Sequence, residues 1–329
     1  MKSSLVIAAL CACTSFQNPD IVVDIRVLAV DADKPEQVID VDFTNPQPQQ
    51  MLAEIQPATV CALVVDPFNT RDLRWSMTLC NYSENERCVD GDPQELLGSG
   101  VEPDPDITDP EPTMCAVVQP DAALLAVVEH ELANDDLKGL QGVDYEVSLR
   151  VGGVDGDPSL DLFAEKTLQL AARLPPNRTA NTNPYLDHVE VSMADNDSED
   201  FSTPVTLPLG RCVDQPTPFV VPANKKVRIN PIEPPGVRET YVLPTLDGKS
   251  ETFTESLTYQ WTATLGKFDN DATGGPRDLA GNEPPLFTDW FSPTGDQLGG
   301  SAQDSTLWIV QRDERYGVHW YETCIRVQP

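Results

Sequence analysis

Three histidines, His130, His188 and His319, lie in separate stretches, and none has a second ligand-type side chain at metal spacing. His188 and His319 fall at alternating positions of extended runs, where a polar side chain is expected to point outward. A serine nucleophile needs a tight turn such as G-x-S-x-G. The nearest approach, Ser99 within Leu97-Gly-Ser-Gly100, sits in an acidic Pro-rich stretch without strand-turn-helix context. The glycine pairs at 152–153, 274–275 and 299–300 open no helix, so they do not read as phosphate loops. The chain carries 53 acidic residues, so nearby carboxylate pairs arise by chance and none stands out as a glycosidase pair. The best-patterned acids are Asp195, Asp197 and Glu199, and Asp269 and Asp271. Both runs alternate oxygen-bearing side chains as calcium ligands do. The second begins like an EF-hand loop, but Ala280 at its twelfth place and the lack of flanking helices exclude that motif. Calcium is the one cofactor the sequence suggests, and plain solvated loops are the alternative. The repeated D-G-D-P at 90–93 and 155–158 reads as a turn. Residues 101–112 read as an extended solvated loop. Among the aromatics, Trp261 reads as core. Trp308, Trp320 and Tyr321 lie on a final hairpin, where strand parity places some of them outward. Such a strip could stack on sugars or anchor a protein partner; ordinary core and cross-strand pairing is the competing reading.

The elements around these residues are strands. Proline supplies 30 of 329 residues, and helical periodicity is almost absent. Short apolar runs recur between Pro, Gly, Asn and Asp clusters: residues 25–30 (IRVLAV), 60–65 (VCALVV), 145–151 (YEVSLRV) and 306–310 (TLWIV). Short helices are expected near 47–55 and 121–134, the second equally readable as a buried strand and turn. Residues 75–79 read W-S-M-T-L and residues 261–265 read W-T-A-T-L. Each follows an opening strand, and each half ends on a strand pair. One repeated sandwich unit explains this order.

Residues 1–14 read MKSSLVIAALCACT: one lysine, then eight apolar residues, too few to cross a hydrocarbon core roughly 30 Å thick. Leu10, Cys11 and Ala12 before Cys13 resemble the lipobox of bacterial lipoproteins, with Cys11 where Ala or Ser is usual. That resemblance makes Cys13 the acylated residue and the membrane a partner. Thr14, which is not Asp, points to the outer membrane. Removing Cys11 and Cys13 leaves Cys61, Cys80, Cys88, Cys115, Cys212 and Cys324, an even set in an exported chain. Fifteen pairings are possible; the one favoured joins Cys80 with Cys88, Cys61 with Cys115, and Cys212 with Cys324. No C-x-x-C is present. The net charge of −31, from 53 acidic and 22 basic residues, argues against nucleic acid as a partner.

Each half also resembles an immunoglobulin-like or PKD-like domain with its Trp on the third strand. Arg26 to Val30, Val65-Asp66-Pro67, Trp75 to Cys80, Asn181 to Leu186, and Arg312-Asp313 with Gly317 and Trp320 resemble two-domain exported lipoproteins of myxobacteria and related bacteria. The resemblance implies a compartment and an all-β fold of two tandem immunoglobulin-like β-sandwiches. It implies no activity.

The expected organisation is a signal peptide (1–12), a lipidated tether (13–20), a first sandwich (21–174), a stiff polar linker (175–184) and a second sandwich (185–329). The first sandwich would then lie near the membrane and the Trp-rich second one away from it. The expected role is a non-catalytic binding, adhesion or scaffold module of the cell envelope, with a protein or glycan partner. The alternatives are a carboxylate-dependent hydrolase of glycan or peptide and an accessory subunit of a larger envelope complex. Replacing Cys13 with Ser is expected to abolish radiolabelled palmitate incorporation and release the protein from membranes; retention on membranes contradicts the anchor.

Overall fold

A computed structural model describes residues 20–67, 71–83, 88, 91–102 and 114–329, so Cys13 and the signal segment lie outside the described residues. The alternation read from the sequence becomes two-faced strands. In residues 58–65, Ala58, Val60, Ala62 and Val64 are buried, while Thr59, Cys61 and Leu63 between them are only partly covered.

The first sandwich runs β1 (Arg26–Ala32), β2 (Glu36–Ile39), α1 (Pro48–Glu54), β3 (Ala58–Val65), β4 (Leu73–Asn81), β5 (Gln94–Glu102), β6 (Cys115–Val118), α2 (Ala122–Asn134), β7 (Val143–Gly153) and β8 (Leu162–Ala172). Its sheets are ordered β1-β3-β6 and β2-β8-β7-β4-β5. Residues 121–134 form a helix because the Asp121 carboxylate accepts from the amides of Ala123 and Leu124. That helix buries Leu124, Val127, Val128 and Leu132 against the core.

The second sandwich runs β9 (His188–Asp195), β10 (Val205–Leu207), β11 (Phe219–Pro222), β12 (Lys225–Ile232), β13 (Thr240–Pro244), β14 (Ser250–Thr254), β15 (Thr258–Ala263), β16 (Lys267–Phe268), β17 (Ala272–Gly274), β18 (Thr288–Phe291), β19 (Gln303–Arg312) and β20 (Val318–Gln328). Its sheets are ordered β10-β9-β12-β18-β16 and β11-β20-β19-β15-β17, and β13 with β14 forms a separate hairpin. In both halves a short strand lies parallel beside the last long one, β2 with β8 and β11 with β20. This is the strand order of tandem immunoglobulin-like sandwiches. Trp75 on β4 and Trp261 on β15 occupy equivalent places, each on the fourth strand across its five-stranded sheet. Trp261 is fully buried and donates to the Thr273 hydroxyl. Trp75 lies against Gly98 and Gly100 of β5. Disulfides join Cys61 with Cys115 across β3 and β6, Cys80 with Cys88, and Cys212 with Cys324.

The two sandwiches are not beads on a spacer. A third apolar core, between them, holds Val22, Leu28, Ala29 and Val65 against Trp308, Val310 and Val318. The segment expected to be a stiff polar linker is instead part of this seam: Arg178 and Asn181 are only 2% and 3% exposed. They are buried because Glu36, itself 3% exposed, needs their donors. Its Oε1 accepts from Arg178 at 3.0 Å and its Oε2 from the Asn181 amide at 3.0 Å. The other partner of Oε2 is Arg315, at the tip of the β19–β20 hairpin of the second sandwich. Arg315 also reaches Glu255 at 3.3 Å and lies over the Tyr241 ring at 4.5 Å.

The same tip is held by Tyr316, whose hydroxyl donates to Asp144 on β7 at 2.9 Å. Tyr316 pays for that position with a left-handed φ of 73°. Next to it, a Cβ on Gly317 would overlap the Asp313 carboxylate that caps the turn, so the tip needs glycine there.

The boundary expected at residue 21 also shifts. Asp20 and Val22 pair with Ala263 on β15 of the second sandwich, and the Asp20 side chain accepts from the Phe268 amide. The described chain therefore starts on the second sandwich and crosses to the first. A membrane anchor upstream would hold the Trp-rich sandwich close, the reverse of the expected orientation.

Removing the carboxylate of Glu36 leaves two buried guanidinium groups without their shared partner, which typically costs 3–5 kcal/mol. Glu36→Ala is expected to lose stability on that order in urea denaturation; a loss below about 1 kcal/mol contradicts the role given to the cluster.

Candidate ligand-binding surface

At the end of the first sandwich opposite the Glu36 cluster, the β7–β8 loop lines a pocket of about 620 Å3 with Asp24, Ile25, Arg71 and Asp72. Arg74, from β4, is in register with Gly152 of β7 and reaches the β7–β8 loop. It binds Asp161 Oδ1 at 2.5 Å, while Arg150 binds Oδ2 at 2.8 Å. Asp161 is thereby 3% exposed, and a Cβ on Gly152 would overlap its carboxylate. Arg74 also donates to the Gly153 and Val154 carbonyls, and Asp157 caps Ser159 at 2.9 Å. On the facing loop, Arg71 binds the buried Asp66 at 2.6 Å and also Asp24. Charge-assisted pairs of this geometry hold a loop more firmly than neutral hydrogen bonds. The braced β7–β8 loop presents Val154 and Leu160 outward, 42% and 78% exposed. The lining also carries Asp72, Asp155 and Asp157.

The sequence points only to the turn at 155–158. The bracing by Arg74, Arg150 and Asp161 joins three separate segments and has no local signature.

The sequence-predicted site residues lie elsewhere and do not converge. Trp308 is 3% exposed in the core between the sandwiches, with Trp320 packed beside it. Their outward parity is correct, but the outer face of β19 and β20 is covered by β1 and β3. Tyr321 is on the inner face, where its hydroxyl accepts from the Leu186 amide at 2.7 Å. The expected exposed strip is thus absent at these three positions. His319, expected outward, shares that inner face and meets Tyr321 edge-on. Burial lowers its pKa.

Asp195 and Glu199 pair with Lys225 and Lys226, respectively. Asp271 offers its backbone carbonyl to Trp261, and Asp269 is followed by Asn270, which donates to its side chain. Among the described residues, no group of three or more His, Cys, Asp or Glu side chains is placed to hold a metal ion. Ser99 lies on β5, not in a loop. Asp90 and residues 103–112 of the acidic stretch lie outside the described residues.

A hydrolase would need two available carboxylates in one cleft. Carboxylates gather in the loop-end pocket, with Asp24, Asp72, Asp155, Asp157 and Asp161, and in a pocket of about 340 Å3 containing Glu131, Asp135 and Asp144. Asp144 is fully engaged, accepting from Gln169 at 2.7 Å and Tyr316 at 2.9 Å. Asp135 accepts from the amides of Leu137 and Gly139. Both act as structural acceptors. Glu146, beside this pocket on β7, is 3% exposed. Burial, then Glu165 nearby, pushes its carboxyl up to about 7.

No family model matches the chain, and no curated protein matches it. Among solved structures, the tandem V-type regions of a v-region-containing chitin binding protein are 9% identical, covering 92% of this chain and 100% of that one, with a TM-score of 0.20. The BSP domain of a biofilm associated protein is 7% identical, covering 93% of this chain and 58% of that one, with a TM-score of 0.20. At these scores neither likeness bears on function.

Buried acids set a pH dependence. Burial raises Asp31 to about 6 and Glu146 and Glu255 to about 7. Folded values above unfolded ones mean stability that is full near pH 4 and lost as pH rises through 6–7. Lys166 is lowered to about 8, so its contribution is already gone at neutral pH and does not oppose the trend. The melting temperature is expected to rise from pH 8 to pH 5, and Glu146→Gln to flatten that rise; an unchanged slope in the variant contradicts the assignment.

Proposed function

We propose that this protein is a non-catalytic binding module of the cell envelope, which engages its partner with the β3–β4 and β7–β8 loop end of the first sandwich. The observation that carries this reading is the braced pocket of about 620 Å3 with Leu160 displayed at its rim. Its volume falls in the range of ligand sites. A loop held by Asp161 between two arginines enters binding already ordered and loses little conformational entropy. Three disulfides suit an exported chain in an oxidising compartment. No described helix is long and apolar enough to cross a membrane, and Cys13 acylation supplies attachment in this proposal. The segment at 20–25 then keeps the loop end within a short tether of the surface, because Asp24 and Ile25 line the pocket.

The partner is an envelope protein or glycan that offers an apolar contact for Val154 and Leu160. Copurification from detergent-solubilised envelopes, comparing the natural chain with Leu160→Asp, tests this. Leu160 is on the surface, so the variant should fold with an unchanged melting temperature and lose its partner. Recovery of the same partner by both proteins, or of the natural chain alone, counts against the loop end as the binding face.

A further inference from the structure

A third pocket, of about 350 Å3, lies between the sandwiches, bounded by β1, β8 and the β19–β20 hairpin. Two cations line it. Lys166 on β8 shares its strand face with Leu168 and Leu170, and it is 4% exposed. Its ammonium donates to the Tyr316 carbonyl. Arg312 donates to the Gln260 side chain at 3.0 Å and the Leu28 carbonyl at 3.1 Å. Among the described residues neither has a carboxylate within 4.0 Å. Other covered cations do: Arg74, Arg178, Lys226, Arg228, Arg238 and Arg315 each hold one. In a chain of net charge −31, two neighbouring covered cations without a direct ion pair are an exception. A buried ammonium held only by a neutral carbonyl is unfavourable unless a counter-charge joins it.

The nearby acids do not fill that role. Asp313 lines the pocket, but its oxygens accept from Asn181 at 3.0 Å and from the Arg315 and Gly317 amides at 2.7 Å each. Glu165 and Glu314 also border the pocket; Glu165 is exposed at the position before Lys166, and Glu314 accepts from Tyr241 and Ser256. Asp313, and after it Asp31, lie close enough to favour the charged form of Lys166, both outside ion-pair distance. These acids disfavour a multiply charged ligand. Val27, Val30, Ala164 and Val318 supply aliphatic walls.

We infer that the pocket between the sandwiches binds a small monocarboxylate, its oxygens bridging Lys166 and Arg312 and its aliphatic body against β1 and Val318. The inference is independent of the loop-end site. Such a ligand contacts both sandwiches, so binding tightens the seam between them.

The test is titration of the purified protein with butyrate at pH 7, followed by calorimetry and thermal shift, with chloride at equal ionic strength, 1-butanol and inorganic phosphate as controls. The expected result is saturable binding of butyrate with a rise in melting temperature, little response to phosphate, and none to chloride or butanol. Lys166→Met and the more polar Lys166→Gln should each weaken butyrate at least about tenfold, the loss of one charge-assisted contact. Without ligand both variants should melt no lower than the natural chain, since they remove an uncompensated buried charge. A purely structural lysine predicts the opposite: lower melting temperatures and an unaltered anion response. That result, equal responses to butyrate and chloride, or no binding by the natural protein overturns the inference.

Discussion

The burial of one carboxylate, Glu36, between Arg178 and Arg315 is the interaction on which the rest of the molecule depends. A lone buried charge is untenable, so Glu36 and Arg178 require each other, and Arg315, also held by Glu239 and Glu255, ties that pair to the second sandwich. Glu36 belongs to the edge strand of the first sandwich, Arg178 to the connecting segment and Arg315 to the hairpin tip of the second. Folding the first sandwich alone therefore leaves Glu36 without the Arg315 contact that the second supplies. Apolar packing of Trp308 and Val310 against Leu28 and Val65 supplies the area, and the ionic cluster supplies the registration. The cluster is not free of cost: Nε and Nη1 of Arg178 have no hydrogen-bond partner among the described residues. Such a cost is consistent with a contact that specifies an arrangement more than it adds stability.

Fixing the sandwiches side by side has a geometric consequence. The hairpin tip of the second occupies one end of the first, at Glu36 and Asp144. The loop ends that immunoglobulin-like domains commonly use for recognition are then unequal. That of the second is spent on the seam, and that of the first remains open with its pocket.

Much of the fold was legible because strands advertise themselves locally. Alternation located the long strands, and W-S-M-T-L against W-T-A-T-L marked strands at equivalent sheet positions, 186 residues apart (261 minus 75). The helix at 122–134 was ambiguous, since its apolar run has no sharp periodicity; the cap at Asp121 decides it. What escaped was everything set by the contact of one sandwich with the other. Trp308 has the parity of an outward residue, and sequence cannot say that the outside of that sheet is another domain's wall. The segment 175–184 is polar because it feeds a buried carboxylate, which looks in sequence like polarity for water. The lysine at 166 does break the apolar pattern of β8, a signal that alternation alone could have flagged. The bracing of the open loop end joins residues from β4, β7 and the loop between β7 and β8, and leaves no trace in any one of them.

The central claim is that the two sandwiches form one cooperative body. Differential scanning calorimetry of the natural protein tests it most directly, since independent domains unfold in separate steps. A single transition, with equal calorimetric and van't Hoff enthalpies, is the predicted result. Two resolved transitions, each with the enthalpy of one sandwich, would contradict it.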